Sequence, residues 1–138
     1  MNEKLENKLF ESFPNLYGKD KETRKELIPY GIQCDDGWFN LIFELSEKIS
    51  KIDPNCKAVQ VKEKFGGLRF YISETTSLGY KLIEEYENKS FHVCEVCGNT
   101  ETAKERSGNW VQTLCDDCEK TKDQRRDQFI NNRLNFRK

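Results

Sequence analysis

The sequence predicts an α+β fold: helices packed on a small antiparallel β-hairpin or sheet, then a four-cysteine zinc module of treble-clef type, then a C-terminal helix. Three observations predict it. Cys94-Glu-Val-Cys97-Gly98 and Cys115-Asp-Asp-Cys118 are two Cys-x-x-Cys pairs separated by 17 residues, a spacing that puts four thiolates on one tetrahedral ion. Residues 57–73 alternate in character on either side of Gly66-Gly67, as a hairpin does. Trp38, Leu41, Ile42, Leu45, Ile49 and Ile52 recur at three- and four-residue steps, as one face of a core helix does.

In chain order, Leu5, Leu9, Phe10 and Phe13 share one side of a helix over residues 2–12, which Pro14 and Gly18 end. Residues 19–25 read as a charged connector. Residues 27–34, broken by Pro29 and Gly31, read as irregular. Asp35 or Asp36 can cap the main core helix, which runs to Ile52 with Phe39 and Phe43 widening its stripe, and Asp53-Pro54-Asn55 stops it.

For the hairpin, Gly66-Gly67 as a two-residue turn pairs Phe65 with Leu68. Val61 then faces Ile72 and Glu63 faces Phe70 on a largely apolar side. The other side carries Lys64 opposite Arg69, Lys62 opposite Tyr71 and Gln60 opposite Ser73. Like charges directly opposite each other destabilise a strand pair by about 0.2–1 kcal/mol. A bound anion would account for this pairing, and so would two long side chains splayed into water. Glu63 fits its apolar side badly unless it reaches a cation.

Thr76 or Ser77 caps a third helix reaching Ser90, with Leu78, Leu82, Ile83 and Tyr86 toward the core. This divides the chain into residues 1–90, a helical and hairpin domain, and residues 91–138, a zinc finger with a basic helix packed on the first through Phe91 and Val93. Within the module, residues 102–106 and 110–114 are short strands around Ser107-Gly108-Asn109. Glu119 follows the second cysteine pair where a second knuckle would want glycine, so a helix is expected there. A zinc ribbon is the alternative. Two disulfides would be the other use of these four thiols. The charged start Met1-Asn-Glu-Lys-Leu-Glu has no apolar core after it and points instead to a reducing cytoplasm. Cys34 and Cys56 lack a second member at ligand spacing and read as free or buried thiols.

Charged residues make up 34% and apolar residues 36% of the chain, which suits a modest core, and no apolar run approaches the roughly 20 residues that span a bilayer. The net charge of -1 selects no partner, but from Glu119 onward seven basic residues stand against three acidic ones. Arg125, Arg126 and Arg133 lie in that segment. So do Phe129, Ile130 and Leu134, with Phe136 beyond, a patch that must dock or dimerise.

A four-thiolate zinc is closed to water and substrate, and His92, the one histidine, precedes a ligand by two residues, so the sequence argues against an enzyme. Asp116 and Asp117 read as first-turn helix acids. Lys62, Lys64, Arg69 and Tyr71 on the hairpin, with the arginines of the tail, offer charge for phosphate and a ring for a base. A nucleotide or nucleic acid is therefore the expected ligand. A protein partner docking on the C-terminal apolar patch is the alternative.

Gly37-Trp38-Phe-Asn-Leu41, Val59-Gln-Val-Lys-Glu-Lys-Phe-Gly-Gly-Leu-Arg-Phe-Tyr71, the Cys94 pair and Trp110-Val-Gln-Thr-Leu-Cys-Asp-Asp-Cys118 resemble a group of small phage and prophage proteins of unassigned function. The resemblance covers roughly residues 30–118. It implies no catalytic residues. It implies a setting, the host cytoplasm, where small accessory phage proteins act as binders of host machinery, including host defence.

Overall fold

The computed structural model of the chain describes residues 1–136, leaving the side chains of Arg125, Arg126, Leu134, Asn135 and Phe136 outside that description. It is a mixed α/β structure with two small sheets. Asn2 opens helix α1 (Glu3–Ser12) by accepting from the Leu5 amide, and Leu9 and Phe10 are its buried residues. Pro14, rather than only closing α1, starts a one-turn helix α2 (Pro14–Tyr17), where its fixed φ suits the first position. Tyr17 of α2 is fully buried, and its hydroxyl shares a 2.6 Å hydrogen bond with Ser46.

Residues 19–25, expected to be a connector, hold helix α3 (Lys21–Leu27), capped by Asp20 through the Thr23 amide. None of its residues is buried, so it has no apolar stripe from which to be read. The irregular segment after it contains strand β1 (Ile32–Gln33), which pairs in parallel with β2 (Ala58–Lys64). The sheet is therefore not purely antiparallel. Its order is β1-β2-β3, with β3 spanning Gly67–Ile72.

The main core helix, α4 (Phe39–Ile52), follows a 3-10 turn over Asp36–Trp38. Neither Asp35 nor Asp36 caps it with a side chain. Asp36 instead binds the Asn2 amide at 2.7 Å and the Asn2 side chain at 2.9 Å, tying the chain start to this turn. Trp38, Ile42, Leu45 and Ile49 are fully buried and join α1 and α2 to the inner face of the sheet, where Ala58, Val61, Leu68 and Phe70 lie. Helix α5 (Ser77–Lys89) is capped by Thr76 and contributes Ile83 and Tyr86. Leu78, expected in the core, is 60% exposed; the residues that α5 buries are Gly79, Ile83 and Tyr86.

The hairpin turn also departs from expectation. It is Phe65-Gly66, with φ of 52° and 85°, rather than Gly66-Gly67. Lys64 therefore pairs with Gly67, Glu63 with Leu68, Lys62 with Arg69, Val61 with Phe70 and Gln60 with Tyr71, with a bulge between Ala58 and Gln60. Two tertiary contacts and one local bond explain the shift. A Cβ on Gly67 would lie 2.5 Å from Phe91 Cζ, so Gly67 is needed for close packing and not for the turn. Thr113 donates to the Gly66 carbonyl at 2.6 Å. Glu63 accepts from the Gly66 amide at 2.8 Å, which is the partner it finds in place of a cation.

Candidate metal centre and hairpin surface

The chain after α5 turns through Ser90–His92 into the first cysteine pair. The Gly98 amide donates to the Cys94 carbonyl at 2.8 Å, closing a knuckle, and the Cys94 amide donates to the Asn99 carbonyl at 2.9 Å. Strands β4 (Lys104–Arg106) and β5 (Gln112–Leu114) pair antiparallel, shorter than the sequence suggests, and β5 delivers Cys115. Helix α6 (Asp116–Phe136) begins immediately, so Cys118 stands on its first turn. Arg106 fixes that start. It bonds Asp116 at 2.8 Å and the Leu114 carbonyl at 3.1 Å.

The sulfurs of Cys94, Cys97, Cys115 and Cys118 lie within 4.8 Å of one another, so these four residues can hold a metal ion. Cys97 and Cys115 sulfurs are 3.6 Å apart. A disulfide needs about 2.05 Å, whereas a tetrahedron with bonds of about 2.3 Å has edges of roughly 3.8 Å. The donor set thus fits a thiolate-bound cation. Burial opposes a charge on Cys94, but backbone amides of Cys115, Cys97 and Val96 outweigh it and bring the thiol down to about 7. Cys118 is pushed up, first by burial and then by the three neighbouring sulfurs. Four thiolates this close carry their charges together only around a cation, which is how metal affinity and ligand ionisation become linked.

The knuckle is bonded into the core. The Gly37 amide donates to the Glu95 carbonyl at 2.7 Å, and a Cβ on Gly37 would lie 2.2 Å from the Cys94 carbonyl oxygen. Trp38 donates its indole N–H to the Val93 carbonyl at 2.8 Å. The Glu95 side chain, 4% exposed, accepts from the Asp35 amide and from Gln112. The two expected anchors both touch the first part of the chain. Phe91 packs on the hairpin at Gly67, and Val93 joins the main core. Neither Glu95 nor Thr113 stands out in the sequence, since a charged and a small polar residue give no sign of burial.

On the hairpin, Lys62, Lys64, Arg69 and Tyr71 do share one face. Moving a two-residue turn by one position shifts each partner by two, which preserves the alternation. None of the four is buried. The directly opposed pair is Lys62 and Arg69, not Lys64 and Arg69. Among the described residues the ion pairs are Lys48 with Glu44, Lys89 with Glu85 and Arg106 with Asp116, so the hairpin cations have no acidic partner there. The Lys64 ammonium sits 5.6 Å from the Phe65 ring centre. Arg133 stands on α6 with its guanidinium 5.8 Å from the Phe129 ring centre, and its described contacts do not bring it to the hairpin. The side chains of Arg125 and Arg126 lie outside the described residues, as do those of Leu134 and Phe136.

Comparisons with protein-family models, curated proteins and solved structures give no match for this chain. Among the described residues, no helix is long and apolar enough to cross a membrane.

Proposed function

We propose that this protein is a non-catalytic, zinc-stabilised binder of a phosphate-bearing ligand, a nucleotide or single-stranded nucleic acid, taken on the open face of the hairpin. The observation that carries the reading is Lys62 directly opposite Arg69 on the outer face of the hairpin, neither of them in an ion pair among the described residues. Such a pair is destabilising on its own and becomes favourable around an anion. Zinc is the ion that suits four thiolates, held by a knuckle and a helix first turn in treble-clef manner, and a closed ligand set leaves it no position for substrate. The resemblance to small phage proteins supports sequestration of a host nucleotide or nucleic acid in the cytoplasm, in antagonism to host defence.

The test is binding of nucleotides and short oligonucleotides at low salt, comparing the wild type with Lys62→Ala/Arg69→Ala. Each charged hydrogen bond to phosphate is worth about 1.5–3 kcal/mol, so the double variant should bind at least tenfold more weakly with its fold and metal intact. Affinity should fall with added salt. Equal binding by both proteins refutes the reading.

A second reading rests on α6, where Phe129 and Ile130 are 63% and 46% exposed. A protein partner, or a second copy of this chain, would cover them. Native mass spectrometry of protein taken from cells separates the two. A captured protein lost with Phe129→Ala but kept by the hairpin double variant favours the interaction module.

A further inference from the structure

We propose that Phe65 and Trp110 form the walls of a nucleobase-binding groove beside the basic hairpin face, an inference that rests on the phosphate-binding reading and supplies its base-recognition half. The groove has a volume of about 380 Å³ and is lined by Glu63, Lys64, Phe65, Asn109, Trp110 and Val111. Phe65 is 70% exposed and Trp110 65% exposed, although these are among the largest apolar side chains in the protein. They come from separate sheets, one from the hairpin turn and one from the loop before β5, and Thr113 bonding the Gly66 carbonyl holds the two sheets together. The two rings are not among the paired aromatics of the described residues, which are Phe10 with Tyr17, Phe13 with Phe43 and Phe39 with Phe43. Neither ring is therefore occupied by stacking on another described ring, and both line the same open groove.

The backbone gives an independent reason to assign a function to Phe65. It is the sole non-glycine residue with positive φ among the described residues, and it holds the first turn position, where glycine or asparagine would be unstrained. The Gly67 packing puts residue 65 at this position but does not call for an aromatic ring there; the exposed ring buries little in return for the strain, and such outliers cluster at ligand sites.

The chemistry around the rings selects the ligand. Lys64 contributes to both the groove and the basic face, so a base in the groove places its phosphate toward Lys62 and Arg69. Aromatic side chains stack on bases whatever their identity. Glu63 uses one carboxylate oxygen on the Gly66 amide, which leaves the other to accept from an exocyclic amino group. Adenine and cytosine are therefore favoured over thymine.

The experiment uses the full-length zinc-loaded protein and oligonucleotides of deoxyadenosine, deoxycytidine and thymidine, with an abasic chain of the same length. Trp110→Ala and Phe65→Gly should each weaken binding of the adenine strand by roughly tenfold or more, while Trp110→Phe keeps most of it. Phe65→Gly relieves the strained turn, so its melting temperature should rise as its affinity falls, an opposition that a merely structural role does not produce. Trp110 fluorescence should be quenched on binding, whereas Trp38, fully buried, does not respond. The abasic chain should bind more weakly than the thymidine strand, which still stacks. If the abasic chain binds as well as the others and the Phe65 and Trp110 variants stay within twofold of wild type, the groove assignment is wrong, although loss of binding in the Lys62/Arg69 variant would still uphold the phosphate surface. If no strand binds the wild type at low salt, both fail.

Discussion

The ring of Phe91 occupies the space that a side chain on residue 67 would fill, with Cζ 2.5 Å from the position of a Cβ on Gly67. This one contact joins the chain entering the cysteine module to the hairpin of the main sheet. It also fixes which of two adjacent glycines turns the chain. Gly66 takes positive φ, Gly67 begins β3, and Phe65 is forced into the remaining turn position.

Gly67→Ala should therefore destabilise the protein by about 1–3 kcal/mol through overpacking, with a lower urea midpoint and little change in the slope. Phe91→Ala in the same chain should recover part of the loss. Additive effects of the two substitutions would show that the contact does not set the stability.

The cysteine cluster divides the six thiols into two groups by chemistry. Cys97→Ser should lose metal and solubility, because the binding energy of such sites, about 10–16 kcal/mol, is also folding energy. Cys34→Ser should keep the metal. Burial pushes the Cys34 thiol well above its ordinary value and Cys56 to about 11. Both should resist alkylation in the native protein at neutral pH, while chelator exposes Cys94, Cys97, Cys115 and Cys118 to reagent. Metal content by mass spectrometry and counting of alkylated sites check both statements.

Glu87 of α5 is half-buried and accepts from the Phe70 amide at 3.0 Å. Burial raises its pKa above the ordinary value of 4.5, against the opposing effects of that bond and of Arg69. The folded protein then holds the proton more tightly than the unfolded chain, so the stability this group contributes is full below the ordinary value and is lost as pH rises through the raised one. Glu87→Gln keeps an acceptor for Phe70 without the charge. Its urea midpoint relative to wild type should improve between pH 4 and pH 7. A difference that stays flat or reverses over that interval would refute the account.

The four-cysteine cluster was legible because ligand spacing is local. Cys94, Cys97, Cys115 and Cys118 announce a site through two short intervals, whatever surrounds them. The stripe from Trp38 to Ile49 was legible for a similar reason, since a single helix turns its own apolar residues to one side. The membership of the basic face also survived, because strand alternation is a property of the backbone and the turn moved by a whole pair. Helix α3 gave no signal because it buries nothing, and β1 gave none because two residues gain strand character only from the partner beside them. The choice between Gly66 and Gly67 belonged mainly to tertiary structure. Both are glycine and both can adopt positive φ, and the Phe91 ring against Gly67 and the Thr113 bond to Gly66, each arriving from a distant part of the chain, distinguish them. Phe65 and Trp110 line one groove, a relation between two sheets that no interval along the chain encodes.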